Sequence, residues 1–88
     1  MGLTLEKGNN SDINLYIDEC YKIQDFINSL NKDNVKESKE KVFIMCNKLI
    51  NEIKNSDLEE AIKNDMLKQI QEELLNYFTT KYFFVGFD

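Results

Sequence analysis

The chain predicts an all-α fold. It should form an antiparallel three-helix bundle over residues 11–30, 35–54 and 57–78, with an N-terminal arm (1–10) and an aromatic C-terminal tail (79–88). Three observations predict it. Apolar residues recur at spacings of three and four through three successive segments, the period of one helical face. No proline interrupts any of them. The polar breaks between them are short, so neighbouring helices should fold back antiparallel. With 88 residues, 42% of them hydrophobic and 31% charged, the chain makes one globular domain, and its core is thin.

The first helix is capped by Asn10 or Ser11, with Asp12 favourably placed in its first turn. Ile13, Tyr16, Cys20, Ile23, Ile27 and Leu30 form a heptad seam, widened by Ile17 and Phe26. Asn31-Lys32-Asp33-Asn34 is a polar connection. In the second helix Asn34 and Glu37 resemble a capping box, and Val42, Met45 or Cys46, Leu49 and Ile53 continue an apolar face. Asn55-Ser56 breaks it. Ser56-Asp57-Leu58-Glu59 is a better S-x-x-E capping box and should open the third helix, with Leu58, Ile62, Met66, Ile70, Leu74 and Tyr77 or Phe78 on its face.

Antiparallel register tests this arrangement. Across the first turn, facing residues should have numbers summing to about 65 or 66. Leu30 then meets Val35, Ile23 meets Val42, Cys20 meets Cys46, Ile17 meets Leu49, and Ile13 meets Ile53. Across the second turn Ile53 meets Leu58, Leu49 meets Ile62, and Met45 or Cys46 meets Met66. Apolar faces apolar at nearly every layer.

The register fails at one end. Lys36-Glu37-Ser38-Lys39-Glu40-Lys41 is polar on every side, yet it faces Ile27 and Leu74, with Phe26, Leu75 and Phe78 nearby. The tail begins at this end. Six of the chain's ten aromatic rings lie in the last twelve residues: Tyr77, Phe78, Tyr82, Phe83, Phe84 and Phe87. The tail, or a partner element, is expected to cover the open end. Two tail conformations are open. Thr79-Thr80 and the Tyr/Phe/Val run favour extended structure, which could pair with Leu3-Thr4-Leu5 in the arm. Alternatively the third helix runs on to about Phe84, with Gly86 ending it.

Composition excludes several functions. There is no His, Arg, Trp or Pro, and the net charge is −5. The commonest general base and transition-metal ligand are missing, and so is the bidentate fork for phosphate or guanine. The charge repels a nucleic-acid backbone, so no direct nucleic-acid binding is expected. No run of about 18 apolar residues exists to span a membrane. Residues 1–10 lack a signal-peptide core, so the expected location is cytoplasmic. Eleven Asn, eleven Lys and nine Ile without Arg fit an AT-rich genome, such as a low-GC bacterium or its phages and plasmids.

The remaining candidates are weighed against plain structure. Cys20 and Cys46 face each other and could form a redox-controlled disulfide, but free cysteines are common small core residues, and no CxxC or zinc spacing is present. Asp18, Glu19, Asp25, Glu52, Glu59, Glu60, Asp65, Glu72 and Glu73 mostly fall outside the seams, as a solvated acidic face does. They have no EF-hand or ExxH spacing. Tyr16, Tyr21, Tyr77 and Tyr82 suit positions between core and solvent. Lys36, Lys39 and Lys41 are offset by Glu37 and Glu40. No catalytic residue, metal site or cofactor is expected, and no enzyme.

The tail is where the structural reading does not dominate. It can be core, a homodimer contact, or an interface with another protein. Phe26, Ile27, Leu74, Phe78, Tyr82, Phe83, Phe84 and Phe87 are therefore the candidate partner-binding residues. In length and layout the chain resembles small bacteriocin immunity proteins, antiparallel helical bundles with a C-terminal segment implicated in recognition. Those usually have four helices and are often basic, where this chain is acidic and has three. The function expected is a small non-catalytic interaction module of inhibitor, antagonist or immunity type. The alternative is an acidic nucleic-acid mimic of phage or plasmid type that blocks a DNA- or RNA-binding protein.

Overall fold

A computed structural model describes residues 3–31 and 33–86 of the chain, with side chains through Lys81. It is an all-α three-helix bundle with no strand among the described residues. Helix α1 spans Ser11–Asn28 and α2 spans Val35–Lys54. The third rod is composite: α3 (Glu60–Gln69), a π-helical stretch (Ile70–Leu75) and α4 (Asn76–Gly86).

Each end of each helix has a local cause. The Asn10 carboxamide oxygen accepts from the backbone N–H of Asp12 (2.9 Å) and Ile13 (3.2 Å), the capping expected of it. Helix α1 stops two residues before the expected Leu30, where the Ser29 hydroxyl donates to the Phe26 carbonyl at 2.6 Å. The Asn34–Glu37 capping box does not form. Asn34 Oδ1 instead accepts from the Asn31 N–H (2.8 Å), and Asn31 Oδ1 accepts from the N–H of Asp33 and Asn34. The two asparagines close the turn on each other, so neither is left to cap the helix. The Ser56 capping box also fails. The Ser56 hydroxyl donates to the Ile53 carbonyl at 2.6 Å, satisfying the end of α2, and α3 begins only at Glu60.

The core follows the register. Ile17, Cys20, Ile23, Ile27 and Leu30 are buried against Val35, Val42, Cys46, Leu49 and Ile53. From the third rod, Met66, Ile70, Leu74 and Phe78 complete it, all at 1% exposure or less. Their spacing explains the π stretch. An α-helix has about 3.6 residues per turn, so each four-residue step rotates a side chain about 40° off the face. A π turn, with hydrogen bonds reaching one residue further, turns less per residue and reverses that drift. The change of winding over Ile70–Leu75 keeps a four-residue repeat on one face.

The polar start of α2 does not leave the bundle open. Ile27, Leu74 and Phe78 are fully buried within the chain. Val35 is buried at the same end, and Phe43 meets Phe78 edge-on, with ring centroids 5.5 Å apart. The Lys41 ammonium lies 4.9 Å from the centre of the half-buried Phe26 ring. Lys81 donates to the Ile27 carbonyl at 3.1 Å, and the Tyr77 hydroxyl donates to Asn28 Oδ1 at 2.9 Å. Lysine stems cover apolar surface while their charges stay in water, a capacity that residue-by-residue polarity hides.

Of the two tail conformations the sequence left open, the described backbone follows the helical one, α4 running to Gly86, and the arm makes no strand pair among the described residues. The arm is held instead by side chains of α1 and α3. The Leu3 N–H donates to Gln24 Oε1 and the Thr4 N–H to Gln69 Oε1, both at 2.9 Å. The Tyr21 hydroxyl lies 3.2 and 3.0 Å from the Leu3 and Leu5 carbonyls. Asn14 exchanges two bonds with the Gly8 backbone, and Lys7 pairs with Asp18 at 2.6 Å. Amide and phenol groups supply the partners that a neighbouring strand would otherwise give.

Candidate functional site

The expected partner-binding residues separate into three groups. Ile27, Leu74 and Phe78 are 0% exposed and belong to the core. Phe26 stands at the α1/α2 surface beneath Lys41. Tyr82, Phe83 and Phe84 lie in α4 with side chains outside the described residues, and Phe87 lies outside the described residues altogether.

The outer side of the α1/α2 pair carries an open cleft. Three helices at the corners of a triangle leave each pair with one side away from the third. On this side a cleft of about 410 Å³ is lined by Leu15, Tyr16, Ile23, Met45 and Leu49, with Glu19, Lys48 and Glu52 at its rim. Leu15 is 62% exposed. Ile44, one turn before Lys48 on α2, is 59% exposed. Glu19 pairs with Lys22 at 3.4 Å. Lys48 and Glu52 have no ion pair among the described residues. Leu15 and Ile44 escape a search for seams because they sit off the heptad positions. The signal that finds them is an aliphatic residue on the side of a helix that the seam leaves to solvent.

A second cleft, of about 470 Å³, lies between the arm, α1 and α3. Its floor is Ile13, Ile17, Ile62 and Met66, and Glu6 and Asp65 stand among its lining. Asp65 accepts from the Gln69 amide at 3.3 Å.

The two thiols are core groups. Cys20 and Cys46 are free and 0% exposed. Burial, with lesser contributions from Cys46 and Glu19, pushes the Cys20 thiol up to about 12, and burial pushes Cys46 up to about 11. A reactive cysteine needs the opposite shift and access to solvent. Among the described residues no group of three or more Cys, Asp or Glu side chains is placed to hold a metal ion. No helix is long and apolar enough there to cross a membrane. Compared with known proteins, the chain matches no family model, no curated sequence and no solved structure.

Proposed function

We propose that this protein is a small non-catalytic interaction module. It acts as an inhibitor, antagonist or immunity-type protein by docking on the outer face of α1 and α2, with the aromatic tail extending the contact. The supporting observation is Leu15, 62% exposed in the lining of an apolar cleft rimmed by charge, with Ile44, 59% exposed, on the adjoining surface of α2 one turn before Lys48. An apolar centre inside a polar rim is the anatomy of a protein interface.

The reading is tested by placing a photo-crosslinking residue at Leu15, at Ile44 or, as a control, at the exposed Asn64 of α3. Adducts at Leu15 and Ile44 but not at Asn64 are expected. Their absence at both positions overturns the reading.

A nucleic-acid mimic is the second reading, favoured by one observation. Lys63, which interrupts the acids of α3 in sequence, folds its side chain back to 13% exposure and donates to the Lys54 carbonyl at 3.2 Å. Glu59, Glu60, Asp65 and Glu72 stand on the exposed surface of the third rod and its approach, with the Lys63 ammonium 3.9 Å from Glu60. Adducts at Asn64 alone, lost on neutralising these carboxylates, are the outcome that would replace the first reading with this one.

A further inference from the structure

The geometry points to a second copy of this chain as the occupant of the α1/α2 outer face, in a two-fold dimer whose axis runs along the bundle. This rests on the assignment of that face as the docking surface and names its partner. Three features of the face fit a copy of itself.

The first is charge. The chain as a whole carries −5. On this face Glu19 and Glu52 stand among Lys48 of the cleft, Lys22 beside Glu19 and Lys41 over Phe26, so the face does not share the acidic excess of the whole chain. Two acidic proteins repel at long range, so they meet best through the neutral part of their surfaces. A strongly basic partner would be drawn to the acidic remainder instead.

The second is register. The antiparallel packing of α1 on α2 sets Glu19 level with Met45–Lys48, and Phe26 level with Lys41. A two-fold axis parallel to the bundle lays α1 of one copy over α2 of the other and preserves those levels. Glu19 of each copy then faces Lys48 of the other, and Phe26 faces Lys41. Leu15 drops between the stems of Lys48 and Glu52. Every such contact occurs twice, as an isologous interface requires. Lys48 and Glu52 have no ion pair among the described residues of the single chain, and Glu19 exchanges only its long, exposed 3.4 Å contact with Lys22 for the pair across the axis.

The third is size. Two helices about 27 Å long and about 10 Å apart present roughly 500 Å² per copy. That is the low end for a specific interface, so the dimer is weak and its population depends on concentration.

The test is sedimentation equilibrium of the full chain from about 5 to 500 μM, concentrations that bracket a weak interface. The average mass should rise from 10.4 kDa toward twice that value. Leu15→Glu, at a largely exposed position that leaves the fold intact, should weaken dimerisation at least about tenfold. Glu19→Lys and Lys48→Glu should each weaken it, and the double variant should recover most of the loss, since swapping both signs restores the cross-axis pair. A chain that stays monomeric throughout overturns the dimer. So does a Leu15→Glu variant that associates like the parent, or a double variant no better than the worse single one. The crosslinker at Leu15 separates this from the docking surface itself. Adducts only of a mass other than the dimer's sink the homodimer and leave the face as an interface with another protein. No adduct at Leu15 or Ile44 removes both.

Discussion

The two flanks of the α1/α2 pair are built from the same helices and end in opposite states. On the inner flank Ile17, Cys20 and Ile27 meet Val42, Cys46 and Ile53 beneath the third rod, all nearly inaccessible. On the outer flank Leu15 stands in solvent beside Tyr16 and Met45, and Ile44 is exposed on the adjoining surface of α2. The third rod and the arm both sit against the bundle's inner side, and the chain has no further described element for the other. The difference shows where stability resides and where apolar surface is spared for a different use.

The largest expected effect breaks the inner flank. Phe78→Ala removes a fully buried ring that meets Phe43 edge-on. It should cost about 3–5 kcal/mol, a large share of the roughly 5–15 kcal/mol that holds a domain together. Urea denaturation should show a midpoint far below the parent's, or no folded baseline.

Alkali probes the same flank through Cys20 and Cys46. Their thiols ionise at about 12 and about 11 in the folded chain, against an ordinary value of 9.0. The unfolded chain therefore loses these protons first as pH rises. Their contribution to stability should be constant below about pH 8.5 and lost progressively between pH 9 and about 12. Cys20→Ala/Cys46→Ala should flatten that part of the curve of unfolding free energy against pH, even though it lowers stability at neutral pH.

A smaller effect is expected where the arm joins the bundle. Tyr21→Phe removes a hydroxyl shared between the Leu3 and Leu5 carbonyls. The cost should be about 1 kcal/mol. Hydrogen exchange at the Leu3 and Thr4 amides should speed up while the amides of Ile23 and Leu49 keep their protection.

The smallest effect on stability belongs to the outer flank. Leu15→Ala should move the unfolding free energy by no more than about 0.5 kcal/mol, as exposed positions do. A loss comparable to Phe78→Ala would mean that Leu15 is core after all, and the contrast between the flanks would fall.

Much of the fold was legible in the sequence because helical period and antiparallel register are local and arithmetic. The facing pairs from Leu30–Val35 to Ile17–Leu49 are buried as their numbering requires. The Asn10 cap was legible for the same reason. The caps at Asn34 and Ser56 were not, since Asn31 and the Ile53 carbonyl compete for the same side chains and only the folded turn decides the competition. The candidate site was legible least. Ile27, Leu74 and Phe78 looked uncovered because α2 begins with charged residues, but Phe43 reaches Phe78, Lys41 lies over Phe26, and Lys81, from the tail expected to cover that end, reaches Ile27. The four-residue repeat from Met66 to Phe78 did carry the signal for a change of winding, because an ordinary α-helix cannot hold that spacing on one face.

By itself, then, the sequence determined an all-α bundle, its three seams and their pairing, because burial of periodic apolar faces dominates the energetics of a short chain. Only the tertiary structure decided what covers what. It tied the arm down through Gln24, Gln69 and Tyr21, and left Leu15 and Ile44 outside. Those outcomes depend on the reach of individual side chains across space, which position along the chain does not encode.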